Sequence, residues 1–280
     1  MLVEDRLVSE GEGPGAGPRR RRRPRLLVEL VLVPLGYLAY AAVRNARGQT
    51  TPAKTRLALL DAKRLIRLEQ LTGLWHEHTI QKFLLNAPAL IKGLDIFYAT
   101  AHIVVTVVVL VFVYIWAPHE YPKLRTALGV ATVLALIGFA VFPVLPPRLL
   151  PADRGFVDTL HQVGGLWSFK TPVIERISDP FAAMPSLHLA WASWCTVALW
   201  RSVKNRFVRV LAVLYPLMSA LTVIGTANHY ILDIVAGVAI TAVGLLVADL
   251  PGRLRTARAA RAAGHARDAV GAGRVGLLES

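Results

Sequence analysis

Six stretches of this chain are long and apolar enough to be read as membrane helices, and no other feature restricts its fold so strongly. They run over 26–43, 94–116, 126–144, 184–200, 210–227 and 230–250. The hydrocarbon core of a bilayer is about 30 Å thick, so a helix rising 1.5 Å per residue crosses it in about 20 residues. Inside that core no water is available to a bare backbone, and an α-helix satisfies its own N–H and C=O groups. The expected fold is an all-α integral membrane protein. It is a six-transmembrane-helix bundle with an interfacial amphipathic helix and disordered basic tails.

The polar remainder divides the chain. Residues 1–25 form a Gly/Pro-rich leader that ends in Arg19 to Arg23, Pro24 and Arg25; it is too polar to bury a core and is expected to be disordered. Residues 26–93 hold the first transmembrane helix plus an interfacial segment. Residues 94–250 are expected to form a membrane core of five helices, and 251–280 a basic tail with Arg253, Arg255, Arg258 and Arg261. Only 18% of residues are charged, yet the formal net charge is +14. Such a balance could suit nucleic acid, but that would need one basic face with base-reading groups. Here the cations sit in tails and short turns, where they meet anionic membrane lipids instead. A single cysteine, Cys195, lies in an apolar run and can form no internal disulfide. The first run follows a long arginine-rich leader without a clean small-residue cleavage site, so it does not read as a cleavable signal peptide.

Two parts of the 26–93 region are less regular. The first run contains Glu29 and Pro34, which makes it the least clean span. Further on, Leu57, Leu60, Arg64, Leu68, Leu71 and Leu74 recur at helical spacing among Arg56, Lys63, Arg67 and Glu69. This pattern predicts an amphipathic helix in the headgroup region. Asn86, Pro88 and Lys92 interrupt the stretch after it, which is too short to span. His76, Glu77 and His78 look like part of a metal cluster, but no further ligand stands near them in sequence, and an exposed interfacial position is expected. His102, within the second span, reads as a helix-packing residue.

With the N-terminus placed inside on account of its arginines, six spans put the 117–125 turn, the 201–209 turn and the tail inside too. The last two each carry at least four cations, as the positive-inside tendency requires. The same topology delivers Arg148, His188 and His229 to the outer side. Both termini are then cytoplasmic, and a bacterial plasma membrane is the expected location.

Those three residues, with Asp233, carry the chemistry. His229 and Asp233 stand four apart and share a helix face. Ionisable groups in membrane spans are costly, and a functional site is their default reading. Breaking a lipid phosphate ester needs cations and oriented N–H groups around the phosphoryl oxygens. Arg148 can offer a planar fork, and the helix start at Pro185 and Ser186 can offer unpaired N–H groups. Neutral His229 can attack phosphorus and form a phosphohistidine, with Asp233 fixing its tautomer. His188 is then available to protonate the departing oxygen and later to deprotonate the acceptor. Asn228, Tyr230, Lys170 and Arg176 are further candidates. A structural alternative is a buried His–Asp pair that only joins helices.

Pro185-Ser186-Leu187-His188 and His229…Asp233 resemble the second and third motifs of the type-2 phosphatidic-acid phosphatase superfamily. The surrounding 226–237 stretch and Pro146-Pro147-Arg148 are more similar to its inositol-phosphotransferase branch, which includes inositol phosphorylceramide synthases. The resemblance covers about residues 90–250. It implies a six-helix membrane core, no metal or other cofactor, and a lipid phosphate or phospholipid substrate. It further implies His229 as nucleophile, Asp233 as its partner, His188 as acid, and Arg148 and Ser186 at the phosphate. Three positions depart from the family pattern. Val141 stands where a lysine is usual, Thr222-Val223 where serine-arginine is usual, and Leu187 where glycine is usual. Two of these losses remove cations that would hold a phosphate dianion, which favours a phosphodiester substrate over a monoester.

Three other readings compete. A polyprenyl or phosphatidate-type lipid phosphate phosphatase would suit the same outer-face site. A transporter could use the His/Asp pair as a proton relay, but transporters keep such groups near the bilayer midplane, and here they lie at helix ends. A membrane scaffold could recruit partners through its basic tails.

Overall fold

The computed structural model describes residues 26–46, 51–162 and 181–276. The leader, Lys170, Arg176 and the side chains of Arg255, Arg258 and Arg261 fall outside what it describes. Among the described residues the protein is helical. Its main helices are α1 (Leu26–Ala46), α2 (Pro52–Thr72), α3 (Glu77–Leu84), α4 (Pro88–Trp116), α5 (Tyr121–Val141), α6 (Leu187–Ser202), α7 (Arg206–Gly225) and α8 (Ile231–Gly276). Short 3-10 turns at Pro147–Leu149 and Ala152–Arg154 follow α5, and a single helical turn spans Thr159–Gln162.

Among the described residues, four helices are long and apolar enough to cross a membrane: α4, α5, α7 and the Ile231–Leu254 part of α8. Their outward faces carry Val104, Val108, Ile137, Leu214, Leu217 and Leu246, all exposed. An apolar exterior of this kind is what a lipid-facing surface requires. Inside the bundle, α8 packs along α5, while α6 lies between α4, α7 and α8. The core tryptophans find partners for their indole N–H groups. The buried Trp194 indole N–H donates to the Leu124 carbonyl at 2.8 Å, and that of Trp191 to Thr132 at 3.0 Å.

Glu29, the residue that marred the first apolar run, is buried by pairing. It accepts from the Tyr121 hydroxyl at 2.9 Å and forms an ion pair with Arg125. A carboxylate hidden beneath a helix is tolerable when a cation and a donor meet it. This contact sets the start of α1 beside the start of α5. At the same end, Asp249 lies 3.5 Å from Lys123 and 3.4 Å from Arg201. The basic turns therefore gather at one end of the bundle, and Arg148, His188 and His229 follow or begin helices at the other.

The second helix sorts its residues into two faces. The leucines at 57, 60, 68 and 71 form its exposed side, while Ala58, Asp61, Ala62, Leu65, Ile66 and Glu69 pack inward. Small residues win the inner face because they let the helix approach the site loops closely. Gly73, at φ 73°, ends α2 in the left-handed conformation that glycine adopts without a Cβ penalty. Pro88 is also not an interruption. It is the first residue of α4, where a missing N–H costs nothing, so this helix begins six residues before the expected 94.

Close packing of α6 on α8 depends on Gly237. A Cβ there would run into the Ser186 carbonyl oxygen and lie 3.2 Å from the Ala190 nitrogen. Gly129, in α5, has open space around it. Gly237→Ala should destabilise the detergent-solubilised protein by about 1–3 kcal/mol, seen as a lower thermal unfolding midpoint, while Gly129→Ala should leave that midpoint unchanged.

Candidate active site

Where α7 ends and α8 begins, the chain reverses within a few residues. Ala227 takes a positive φ of 52°, a conformation rare outside glycine. Backbone donors close the turn: Asn228 and His229 N–H both reach the Val223 carbonyl, at 2.9 and 3.1 Å. The turn delivers His229 to the head of α8 with Asp233 one turn below it. The His229 Nδ1–H donates to Asp233 Oδ2 at 3.2 Å, and both side chains are buried. The same oxygen accepts the Tyr230 backbone N–H at 2.9 Å. Asp233 thus closes the helix cap and fixes the imidazole at once. Because a carboxylate can only accept, Nε2 of neutral His229 keeps a lone pair.

His188 stands across from it at the start of α6. The two ring centroids are 5.8 Å apart in an edge-to-face arrangement. His188 Nε2–H donates to the Tyr98 carbonyl at 3.2 Å, which leaves Nδ1 as the nitrogen able to gain or lose a proton. The Tyr98 ring stacks on His188 at 4.3 Å. His102, read from sequence as packing, lies against His188 at 4.1 Å, and its Nδ1–H donates to the same Tyr98 carbonyl at 3.1 Å. Ser186 caps α6 by accepting from Leu189 N–H at 3.5 Å, and its own N–H donates to the Asp233 carbonyl at 2.9 Å. That bond ties the heads of α6 and α8 together.

Arg148 reaches the same turn from the loop after α5. Its backbone N–H donates to the Ala227 carbonyl at 2.9 Å, and its Nε donates to Asn228 Oδ1 at 2.9 Å. Nη1 forms a 2.9 Å ion pair with Asp158, and the two side chains are only 14% and 18% exposed. Asp158 is held in place from both sides of its sequence. Gln81 pairs with the Val157 backbone through bonds of 2.8 and 3.0 Å, and Thr159 donates to Asp95 at 2.9 Å.

Five of the residues singled out from sequence therefore converge with Arg148: His188, His229, Asp233, Ser186 and Asn228. Tyr230 supports them from behind. Its hydroxyl donates to the Leu145 carbonyl at 2.8 Å and its ring stacks on Trp75. Sequence reasoning missed Asp158, Tyr98 and, above all, Glu69 and Glu77. Glu77 is the clearest correction. It is fully buried, not exposed, and accepts the Ile231 N–H at 2.9 Å. His76 stays exposed, and the His78 ring packs edge-on against Phe156, so the three neighbours do not converge on one point.

Residues 63–247, more than half of the chain, match the family model of the PAP2 superfamily. The chain belongs to the PAP2 superfamily. Searches of curated proteins and of solved structures gave no match. The PAP2 match includes every residue of the constellation just described, together with Glu69 and Glu77. Membership supports a phosphatase-type enzyme acting on lipid phosphates. Asp233→Asn keeps the size of the side chain but offers Nδ1 of His229 a weaker, ambiguous partner. Lipid phosphate turnover should fall by about 10³–10⁴-fold with the circular dichroism spectrum unchanged.

Proposed function

We propose that this protein cleaves or transfers a lipid-linked phosphoryl group through a phosphohistidine on His229, with a phosphodiester as donor. The observation that carries the reading is the His229–Asp233 bond, faced by His188 with its own tautomer fixed by Tyr98. Nε2 of His229 attacks phosphorus as the ester P–O bond breaks. Nδ1–H of His188 gives its proton to the departing oxygen, and neutral His188 then takes a proton from the acceptor hydroxyl. The acceptor oxygen attacks phosphorus, the P–N bond breaks, and His229 is restored. Arg148 and the N–H groups at the head of α6 hold the phosphoryl oxygens.

Charge supports the diester. Arg148 is already paired with Asp158, which cancels much of its field at the phosphate. Val141 is 76% exposed on the outside of α5, and buried Thr222 and Val223 bring no cation. A site this poor in positive charge suits a monoanion better than a dianion. That fits the inositol-phosphotransferase branch, with water or an alcohol as acceptor.

In this reading α1 and α6 join the four long helices to make six spans. Both termini and the basic turns face the cytoplasm, and the site opens on the extracytoplasmic side. The exposed leucines and cations of α2 rest in the headgroup layer, and the basic tails meet anionic lipid.

Purified protein offered phosphatidylinositol and phosphatidic acid side by side should release headgroup from the first faster than phosphate from the second. Rapid phosphate release from phosphatidic acid alone would sink the diester assignment. Asp158→Asn should shift the preference toward phosphatidic acid by about five-fold, on the order of 1 kcal/mol, measured as the ratio of the two kcat/KM values.

A further inference from the structure

The head of α8 is held by two carboxyl groups that the reaction itself does not use. Glu77 Oε1 accepts the Ile231 N–H at 2.9 Å, and Glu69 Oε1 accepts the Leu232 N–H at 2.7 Å. These bonds cross 154 and 163 residues of sequence, from α3 and α2 to the turn that carries His229. Tyr230 N–H goes to Asp233 and Asp233 N–H to the Tyr230 carbonyl, so all four backbone donors at this helix head are satisfied. Both glutamates are 0% exposed. Their second oxygens, Glu69 Oε2 and Glu77 Oε2, meet no N–H or O–H among the described residues. Because the two carboxyl groups sit on consecutive amides of one helix head, they stand side by side, each with one unpartnered oxygen. Two carboxylates are acceptors only, so a bond between those oxygens requires a proton.

We infer that Glu69 and Glu77 share one proton as a carboxyl–carboxylate pair, and that this pair is a positioning device for the His229–Asp233 turn. The proton joins α2 to α3, and the two remaining acceptor oxygens pin consecutive amides of α8 directly above Asp233. The net charge of the pair is −1, which suits the positive end of a helix dipole. A second negative charge would stand against it and against Asp233. Burial, the neighbouring Glu77 carboxyl and the charge of Asp233 push the Glu69 carboxyl up to about 9, while its bond to Leu232 N–H opposes the shift. The other ionisable group facing the pair, the Tyr230 phenol, is itself pushed up by burial and by the Asp233, Glu69 and Glu77 charges, with Arg154 opposing, and stays neutral. The sign is fixed: a carboxyl whose folded-state pKa is raised favours the folded state at low pH. That contribution declines as pH rises from about 4.5 and is gone once pH passes about 9.

The inference rests on reading the His229 turn as the reacting part, but its first test does not use activity. Infrared difference spectra of the purified wild-type protein at neutral pH should contain the carbonyl band of a protonated carboxylic acid. Glu69→Gln and Glu77→Gln should each abolish it, because either amide supplies the donor that the shared proton supplied. A band that survives Glu77→Gln, or no band in the wild type, overturns the shared proton. The second readout is the pH profile of lipid phosphate turnover. Glu69→Ala should lower kcat at least ten-fold with KM changed less than three-fold. Wild-type activity is expected to fall as pH rises through about 9, and Glu69→Gln should restore kcat to within three-fold and remove that fall. If Glu69→Gln is as impaired as Glu69→Ala, or keeps the alkaline fall, the pair does not position the turn by sharing a proton.

Discussion

Backbone amides at the start of a buried helix have no partner within that helix, and in a membrane protein no bulk water reaches them either. The head of α8 meets this constraint with three carboxyl groups: Asp233 for Tyr230, Glu77 for Ile231 and Glu69 for Leu232. Much of the architecture around the site follows from that solution. Because α2 and α3 bring Glu69 and Glu77 inward, α2 packs on α8 and α3 on α7 and α4, with Ala58 and Ala62 of α2 fully buried. Because Asp233 serves the cap, its position is fixed before it serves His229. One carboxylate oxygen thereby couples the folding of a helix terminus to the tautomer of an imidazole.

Around that point the site is assembled from parts that are far apart in sequence. Ser186 N–H on the Asp233 carbonyl joins α6 to α8, and Gly237 lets the two helices come close enough for that bond. Arg148 reads the same turn through Ala227 and Asn228. Each tie is made through backbone or a short polar side chain, so the geometry tolerates little sliding of one helix on another. Rigidity of this kind suits the proposed reaction, in which His229 attacks phosphorus while His188 passes a proton to and from the oxygens bonded to it.

The sequence made part of this legible. His229 and Asp233 could be paired because helical spacing four residues apart places them on one face, and His188 stood out as an ionisable group at the mouth of an apolar run. Apolar length identified α4, α5, α7 and the first part of α8. Other parts were hidden for physical reasons. Glu69 lies among arginines and lysines on an amphipathic helix, where a carboxylate ordinarily faces water, and Glu77 is flanked by two histidines. Nothing local says that their partners are amides more than 150 residues away. Pro88 could be read as a break or as a first helical residue, and only the capping of α4 decides. His102 reads as a packing residue and does pack, but no local pattern says that its neighbour is His188 of a different helix. Asp158 stands in a loop whose placement depends on Gln81 and Asp95, two contacts with no sequence signature.

In the proposed reaction the phosphorus atom is transferred to His229. The most direct test of that transfer is to trap the intermediate: purified protein is quenched after brief reaction with a phospholipid radiolabelled at phosphorus. The account predicts an acid-labile, base-stable label that maps by mass spectrometry to the peptide containing His229 and is absent from His229→Ala. A label on another residue, or undiminished label and turnover in His229→Ala, would contradict it.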